Sequence, residues 1–275
     1  MLEVIEIDSY SVGIRIDRWI KINLNKIPQS LIEKDLRNGK IKVNKKKIKS
    51  SYKLNKFDKI YLFNVSYKKL ILHKNKFIPK NIVIKETERE IIENNSSFIV
   101  INKKSGLPVQ GGTKVKENVI NVLSNSQYFK DTKPYIVHRI DKDTSGALII
   151  AKNRLVAQQL TSLFRIRKIH KTYLAISFGQ IDKKKSKIDN NLIRYEGNKK
   201  IYERAITQYQ VIDSNNNYTF FKLNPITGRK HQIRKHLTDL NCPIVGDNKY
   251  FINKPSNKTH LLLHAYEIKF MINDK

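Results

Sequence analysis

Apolar residues recur at the spacing of an α-helix near the start of the chain and alternate with lysines soon afterwards. The first helical pattern is carried by Ile16, Trp19, Ile20 and Leu24. A second short helix is predicted over 31–38, and the alternation that follows predicts strands over 41–43 and 59–63. Residues 15–62 are therefore predicted to form a small α+β unit with two helices and a hairpin-rich sheet.

The rest of the chain contains more strand patterns than helix patterns. Short apolar runs predict strands over 98–101, 147–151, 171–176, 205–212, 218–223 and 261–270. Helices are expected over 155–164 and 227–239, and the polar residues 182–200 are expected to be an insertion. Many strands with few helices favour an α+β fold around a mixed, mostly antiparallel sheet.

These patterns divide the chain into three parts. Residues 1–65 are predicted to be the small N-terminal domain and residues 90–275 the larger domain. Residues 66–89 are rich in lysine and show no sustained periodicity, which is typical of a linker. We therefore expect two domains joined by a basic linker.

The charge of the chain favours a polyanionic partner. It has 54 Lys plus Arg against 24 Asp plus Glu, a formal net charge of +30, and the segment from Lys40 to Lys80 holds fourteen lysines and a single acid, Asp58. Such a surface binds nucleic acid strongly and in a salt-dependent way, because counterions are released. The alternative is that the abundant Lys, Asn and Ile reflect biased base content and that many lysines are only solvated.

The sequence lacks the patterns of secreted, membrane and metal-binding proteins. The single cysteine, Cys242, excludes an internal disulfide framework, and no apolar run approaches the ~20 residues of a membrane span. His260 and His264 have the spacing of a helical metal pair, but they flank three leucines in a predicted strand. The N-terminus also lacks the pattern of a signal peptide. We expect a cytoplasmic protein in a reducing compartment, with no metal and no membrane association.

The nine residues from His138 to Gly146 carry the strongest chemical signal. They read His-Arg-Ile-Asp-Lys-Asp-Thr-Ser-Gly and place Asp141 between two basic residues, just before the predicted buried strand 147–151. Connections at the end of a buried strand commonly hold active-site residues. By itself such a segment is more often a turn with side-chain caps, which is also how we interpret the second carboxylate, Asp143.

This segment closely resembles the signature of the RluA-type pseudouridine synthases. Two downstream segments resemble the same family: Lys171-Thr-Tyr-Leu-Ala175 and Gly228-Arg-Lys-His-Gln-Ile-Arg234. The resemblance implies an enzyme that isomerises uridine to pseudouridine in RNA with neither metal nor organic cofactor. It also implies three catalytic residues, namely Asp141, Tyr173 and Arg234, with Arg234 holding Asp141 in its charged form.

The same resemblance implies residues that bind the substrate. Arg139 would help to displace the target base and occupy its place, while Tyr173 would stack on that base. Leu262, within Leu261-Leu-Leu-His264, would supply an apolar wall. The complete substrate-binding set implied by the resemblance is His138, Arg139, Thr144, Arg229, Gln232 and Leu262.

The N-terminal unit resembles the S-four RNA-binding domain over about fifty residues. The matching segments are Arg15-Ile-Asp17, Leu36 to Asn44, and Asp58. The resemblance implies a small module that anchors the enzyme on structured RNA. An arbitrary small α+β unit covered by solvated lysines is the alternative.

These observations lead to one main hypothesis and two alternatives. The main hypothesis is a monomeric synthase acting on 23S ribosomal RNA, because the domain layout is similar to the branch that modifies the large subunit. A non-catalytic RNA-binding or ribosome-assembly protein with the same fold is the second, and a hydrolase that releases uracil is the third. Two features depart from the family pattern: Lys104 stands where proline is usual, and the chain stops early, so a less covered sheet edge is expected.

Overall fold

The computed structural model describes residues 2–8, 11–24, 27–63, 78–111, 117–197, 199–251 and 260–272. The chain divides into two compact units, Met1–Lys76 and Phe77–Lys275. Of the helices in the described ranges, none is long and apolar enough to cross a bilayer.

The first unit combines two helices with a small antiparallel sheet. Its elements are β1 (Leu2–Glu6), α1 (Ile16–Asn23), α2 (Gln29–Arg37), β2 (Ile41–Val43) and β3 (Lys59–Phe63). The strands lie in the order β1-β3-β2. Ile16, Ile20 and Leu24 are fully buried, as their spacing predicts, because one face of α1 packs into the apolar core that it shares with α2 and the strands.

A buried carboxylate organises the loops of the first unit. Asp58 accepts hydrogen bonds from the side-chain amide of Asn44 at 2.7 Å, the hydroxyl of Tyr52 at 3.0 Å and the backbone N–H of Asn55 at 2.8 Å. A buried carboxylate needs such donors to offset its loss of water. Asp58 therefore ties the connection before β3 to the turn after β2.

The second unit is built on one large sheet. Its elements are α3 (Asn81–Arg89), β4 (Ile91–Asn94), β5 (Phe98–Lys103), α4 (Val119–Leu123), β6 (Tyr135–Ile136), β7 (Ser145–Ala151), α5 (Arg154–Arg165), β8 (His170–Phe178), β9 (Lys185–Glu196), β10 (Lys199–Ser214), β11 (Tyr218–Pro225), α6 (Gln232–Asp239) and β12 (Leu263–Lys269). The strand order is β4-β5-β7-β12-β8-β11-β10-β9, and β6 pairs with β7. Among the described strands of this unit, every pairing is antiparallel except β7 with β12, so the predicted mixed, mostly antiparallel sheet is confirmed.

Three expectations differ from the structure. Residues 182–200, expected to be a polar insertion, contain β9 and the start of β10, which pair with each other at the edge of the sheet. Residues 66–77 of the predicted linker lie outside the described residues, and the end of the linker forms the helix α3. The Glu88 carboxylate of α3 accepts a hydrogen bond from the Gln127 backbone N–H, which joins the helix to the second unit. The helix predicted from residue 227 begins at Gln232, because residues 227–231 form a loop around that glutamine side chain.

The last strand lies inside the sheet. β12 is hydrogen-bonded to β7 on one side and to β8 on the other. The loop that carries Asp141 directly precedes β7, so this loop joins the sheet at its centre.

Candidate active site

A cleft of about 650 Å³ opens in the second unit. One wall comes from the C-terminal end of α5 and the start of β8, and the other from the loop between β11 and α6. The Asp141 loop also lines the cleft. Three segments of the sequence, 136–144, 161–173 and 225–234, therefore meet at one site.

Gly146 fixes where the Asp141 loop enters the sheet. Its φ of +107° is a conformation that favours glycine, and a Cβ at this position would overlap the backbone of Ala265 on β12. The close approach allows β7 and β12 to pair in parallel at Gly146 and Ala265. The start of β7, and with it the Asp141 loop, is thereby held against the neighbouring strand.

Asp141 faces a buried guanidinium that already has another partner. The Arg234 Nη1 atom lies 3.8 Å from Asp141 Oδ2, while Arg234 Nε and Nη2 donate to the two Asp247 oxygens at 2.8 and 2.7 Å. The side chains of Arg234 and Asp247 are 5% and 1% exposed, whereas that of Asp141 is 28% exposed. The bidentate pair with Asp247 fixes the orientation of the guanidinium, which presents its remaining edge to Asp141.

Asp247 is held by its own local structure. Burial acts to raise its pKa, but hydrogen bonds from Arg234 and from the backbone N–H groups of Lys249 and Tyr250 outweigh burial and lower the pKa. The preceding Gly246 has φ +78°, and a Cβ there would overlap the His260 carbonyl. Glycine is therefore required for this turn to bring Asp247 beneath Arg234.

Tyr173 lines the cleft from β8. Burial raises the pKa of its hydroxyl, and the nearby Asp141 carboxylate raises it further. The phenol is consequently protonated at neutral pH and can donate a hydrogen bond. Its ring packs against two of the apolar clusters of the second unit, so its orientation is fixed by the core.

His231 is a second side chain that approaches Asp141. Its Nε2 atom lies 3.8 Å from Asp141 Oδ1, and its Nδ1 atom lies 2.8 Å from the Tyr250 hydroxyl. Burial lowers its pKa, so the ring is neutral near pH 7, although Asp141 acts in the opposite direction. The tautomer that suits a carboxylate neighbour has hydrogen on Nε2, with the Tyr250 O–H donating to Nδ1.

Comparisons with known proteins agree on one family. The family model described as RNA pseudouridylate synthase matches residues 97–239. The ribosomal large subunit pseudouridine synthase C of Rickettsia felis is 34% identical over an alignment of 280 positions that covers 94% of this chain and 88% of the relative. The protein of the same name from Vibrio parahaemolyticus is 32% identical over 98% of this chain and 88% of its own.

This chain belongs to the RNA pseudouridine synthase family. The structure of human RNA pseudouridylate synthase domain containing 4 is similar, with a TM-score of 0.60 and 28% identity over 72% of this synthase and 89% of the human chain. The resemblance to the RluA type is therefore confirmed, and the protein is an RNA-modifying isomerase.

Most of the predicted site residues of the synthase line the cleft, but their environments differ. Arg139 is exposed and its side chain extends from the Asp141 loop. Thr144 is buried, and its backbone N–H donates to the Asp141 carbonyl at 3.2 Å, which closes the loop. Its hydroxyl has no hydrogen-bond partner within the described part of the chain. Arg229 lines the cleft and pairs with Glu203 at 3.3 Å.

The side chains of His138 and Gln232 make hydrogen bonds to other groups of the synthase. His138 Nε2 accepts the Ile149 N–H at 2.9 Å, and its ring stacks on Phe164 with centroids 4.5 Å apart. Burial lowers its pKa to about 3, with a smaller contribution from the charge of Lys171, so it is neutral. The Gln232 amide bonds to groups in the 206–207 and 227–229 segments. Both side chains shape the cleft from behind.

Leu262 does not line this cleft. It is 39% exposed and lies on a separate hollow of about 480 Å³, whereas the next residue, Leu263, is buried and lines the cleft. Successive strand residues point to opposite faces, so a shift of one position changes the face. The leucine that lines the cleft is therefore Leu263 and not the predicted Leu262.

Lys103 was not anticipated. Its side chain is fully buried, and its Nζ atom donates to the carbonyls of Lys104, Leu107 and Lys142, each at 2.9 Å. Burial lowers its pKa to about 8, while the charges of Asp143 and Asp141 act against that shift. The ammonium group thus ties the loop after β5 to the Asp141 loop. The sequence shows only another lysine in a lysine-rich chain.

Proposed function

We propose that this synthase converts uridine to pseudouridine in 23S ribosomal RNA of the large subunit. The observation that carries the proposal is the pairing of Asp141 with the oriented guanidinium of Arg234 in a cleft large enough for a nucleotide. The names of its relatives, pseudouridine synthases of the ribosomal large subunit, support the choice of substrate.

The reaction breaks the bond between the anomeric carbon and N1 of uracil, turns the ring and joins the same carbon to C5. The C5 hydrogen leaves as a proton and N1 gains one, so atoms balance without an oxidant. In this proposal Asp141 acts either as a nucleophile or as a base, and Arg234 keeps it charged against desolvation. Tyr173 stacks on the base and donates its hydroxyl proton in a hydrogen bond.

Arg139 is proposed to assist base flipping. Extruding a nucleotide costs a few kcal/mol of unstacking. An exposed planar cation beside Asp141 can fill the position that the base leaves and can stack there. His138, Thr144, Gln232 and Arg229 are proposed to hold the surrounding loops in the shape that admits the nucleotide.

The central test compares two carboxylates of the same loop. Asp141→Asn should abolish release of tritium from 5-tritiated uridine in a large-subunit RNA transcript, while affinity for the transcript changes less than about 3-fold. Asp143→Asn is the matched control, because Asp143 is exposed and its hydrogen bond within the described residues is made by its backbone carbonyl, which accepts from the Ser105 hydroxyl at 2.6 Å. Retained turnover in Asp141→Asn would remove Asp141 from the mechanism.

We further propose that residues 1–65 are an S-four-like anchor for structured RNA. Of the predicted linker 66–89, residues 81–89 form α3 of the second unit, so the connection to the catalytic domain is proposed to lie before Phe77. The density of lysines in this part and the two helices with a small sheet support the proposal. Deleting residues 1–65 should weaken RNA binding and flatten its dependence on salt, since fewer phosphates are neutralised. Unchanged affinity would reject the anchoring role.

The remaining expectations are proposed with the same function: a cytoplasmic monomer that needs no metal or organic cofactor. The buried, free Cys242 is consistent with a reducing compartment. The non-catalytic alternative is not favoured, because its relatives are named as synthases. A hydrolase would release free uracil, whereas the proposed reaction changes uridine without a change in mass, so analysis of the RNA and the supernatant separates the two.

A further inference from the structure

The cleft carries cations on both walls but ion pairs on only one of them. On the α6 side, Arg234 pairs with Asp247 at 2.7 Å and Arg229 with Glu203 at 3.3 Å. The cations on the α5 side have no acidic partner in the described ranges: Arg165, Arg167 and Lys171. Asp141 is the one carboxylate among the described residues that line the cleft.

Lys171 is the least expected of these cations. Its side chain is partly buried, and no hydrogen bond or ion pair is made by its Nζ atom to the described part of the protein. Burial lowers its pKa, and the positive charge of Arg167 lowers it further. An ammonium group held in this way destabilises the free protein unless an anion joins it.

Arg167 reaches the same wall through an unfavourable backbone conformation. Its φ is +59°, at the position after the end of α5 where glycine is favoured. The Arg167 N–H donates to the Phe164 carbonyl at 3.2 Å and the Lys168 N–H to the Leu163 carbonyl at 2.9 Å, which closes the helix end. A glycine would close this end with less strain but would place no charge on the cleft wall.

The position of Lys171 relative to Tyr173 suits a nucleotide. The two residues are two positions apart on β8, so their side chains leave the same face of the strand about 7 Å apart. Both line the cleft. A base stacked on Tyr173 would therefore leave its sugar and a neighbouring phosphate near Lys171.

We propose that Lys171, Arg167 and Arg165 form a subsite for a phosphodiester group of the RNA strand next to the flipped uridine. The inference rests on the proposed function and adds the position at which the protein binds the phosphodiester backbone of the substrate. The subsite also explains why only the α6 wall has internal acids: the substrate supplies the anion for the α5 wall.

The test uses the full chain and a large-subunit RNA transcript. Lys171→Gln, Arg167→Gln, the double variant and Lys171→Arg are compared with Lys222→Gln, an exposed lysine on β11 away from the cleft. Affinity is measured over a series of NaCl concentrations, tritium release gives KM and kcat, and thermal unfolding gives Tm.

Lys171→Gln should raise KM about 10-fold with kcat nearly unchanged and should reduce the slope of log affinity against log salt by about 0.7 to 1. Its Tm should rise by about 2 °C, because an unpaired cation is removed. Lys171→Arg should retain the salt slope, and the double variant should lose less affinity than the sum of the single variants, since both residues grip one phosphate.

Three results would overturn the subsite. One is a salt slope in Lys171→Gln equal to that of Lys222→Gln. Another is a lower Tm in Lys171→Gln, which would mean that Lys171 has a structural role. The third is full additivity of the two single variants. If the wild-type chain binds the RNA but releases no tritium, the proposed function fails, whereas the salt slopes still decide the subsite.

Discussion

Replacing Asp247 by asparagine tests whether the orientation of Arg234 supports the site. The substitution keeps the size of the side chain and removes the charge that holds the guanidinium at 2.7 and 2.8 Å. Because Arg234 is 5% exposed, it would be left as a buried cation with one remaining carboxylate, Asp141, at 3.8 Å. We expect Arg234 to turn towards Asp141 and to distort the geometry of both.

The size of the effect follows from these distances. Breaking a buried ion pair from one side costs about 3–5 kcal/mol. The remaining attraction between Arg234 and Asp141, 3.8 Å apart, offsets part of this cost. It is about 4 kcal/mol at an effective dielectric constant of about 20, which we reduce to about 1–2 kcal/mol because Asp141 is 28% exposed to solvent. The net loss of stability is then about 2–3 kcal/mol. For a unit of this size it corresponds to a Tm lower by about 4–12 °C.

Activity should fall more than stability alone explains. A misplaced guanidinium removes about 2–3 kcal/mol of transition-state stabilisation, so kcat should drop about 10²-fold at a temperature where the variant is fully folded. Thermal unfolding and tritium release from 5-tritiated uridine measure the two effects, with Asp182→Asn, an exposed carboxylate, as control. A variant with wild-type kcat and a Tm within about 2 °C of wild type would refute the reasoning.

Two further predictions concern Tyr173 and Lys103. Tyr173→Phe keeps the ring but removes a hydroxyl whose raised pKa keeps it protonated, so kcat should fall about 10²-fold with KM within about 3-fold; an unchanged kcat would limit Tyr173 to stacking. In the folded protein the pKa of Lys103 is about 8, below its ordinary value of 10.5. Between these two pH values Lys103 is protonated in the unfolded chain but largely neutral in the folded protein, so the free energy of unfolding rises with pH. Urea unfolding from pH 8 to 10 should show the wild type gaining stability relative to Lys103→Met, by at most about 1.4 kcal/mol per pH unit, and a constant difference would contradict the assignment.

Local patterns were sufficient for most elements of the fold. The spacing of Ile16, Trp19, Ile20 and Leu24 predicted α1, because one face of a helix must be apolar to be buried. The continuous apolar run 147–151 predicted the central strand β7, whose residues from Gly146 onwards are buried. The edge strand β9 escaped prediction, because a strand with one neighbour and much exposed surface needs no apolar pattern.

The candidate site was predicted in part. The motif resemblance pointed to Asp141, Tyr173 and Arg234, and the structure brings these residues to one cleft. Asp247 and His231 were missed as partners of this set. A Gly-Asp pair after an apolar run is a weak signal of a tight turn at Asp247, but which side chain its carboxylate meets depends on contacts between distant segments.

What the sequence determined by itself is the set of elements, the cationic character and the residues of the signature, since these follow from local periodicity, composition and motif. Only the tertiary structure decided partners and faces. Three consecutive leucines, 261–263, have no alternation that could fix their orientation, and the pairing of Leu263 with Ala175 decides that residue 263 faces the cleft and residue 262 does not. The ion pairs were also decided by the tertiary structure. The sequence gives the number of cationic residues, but which of them lie near a carboxylate depends on how the chain folds.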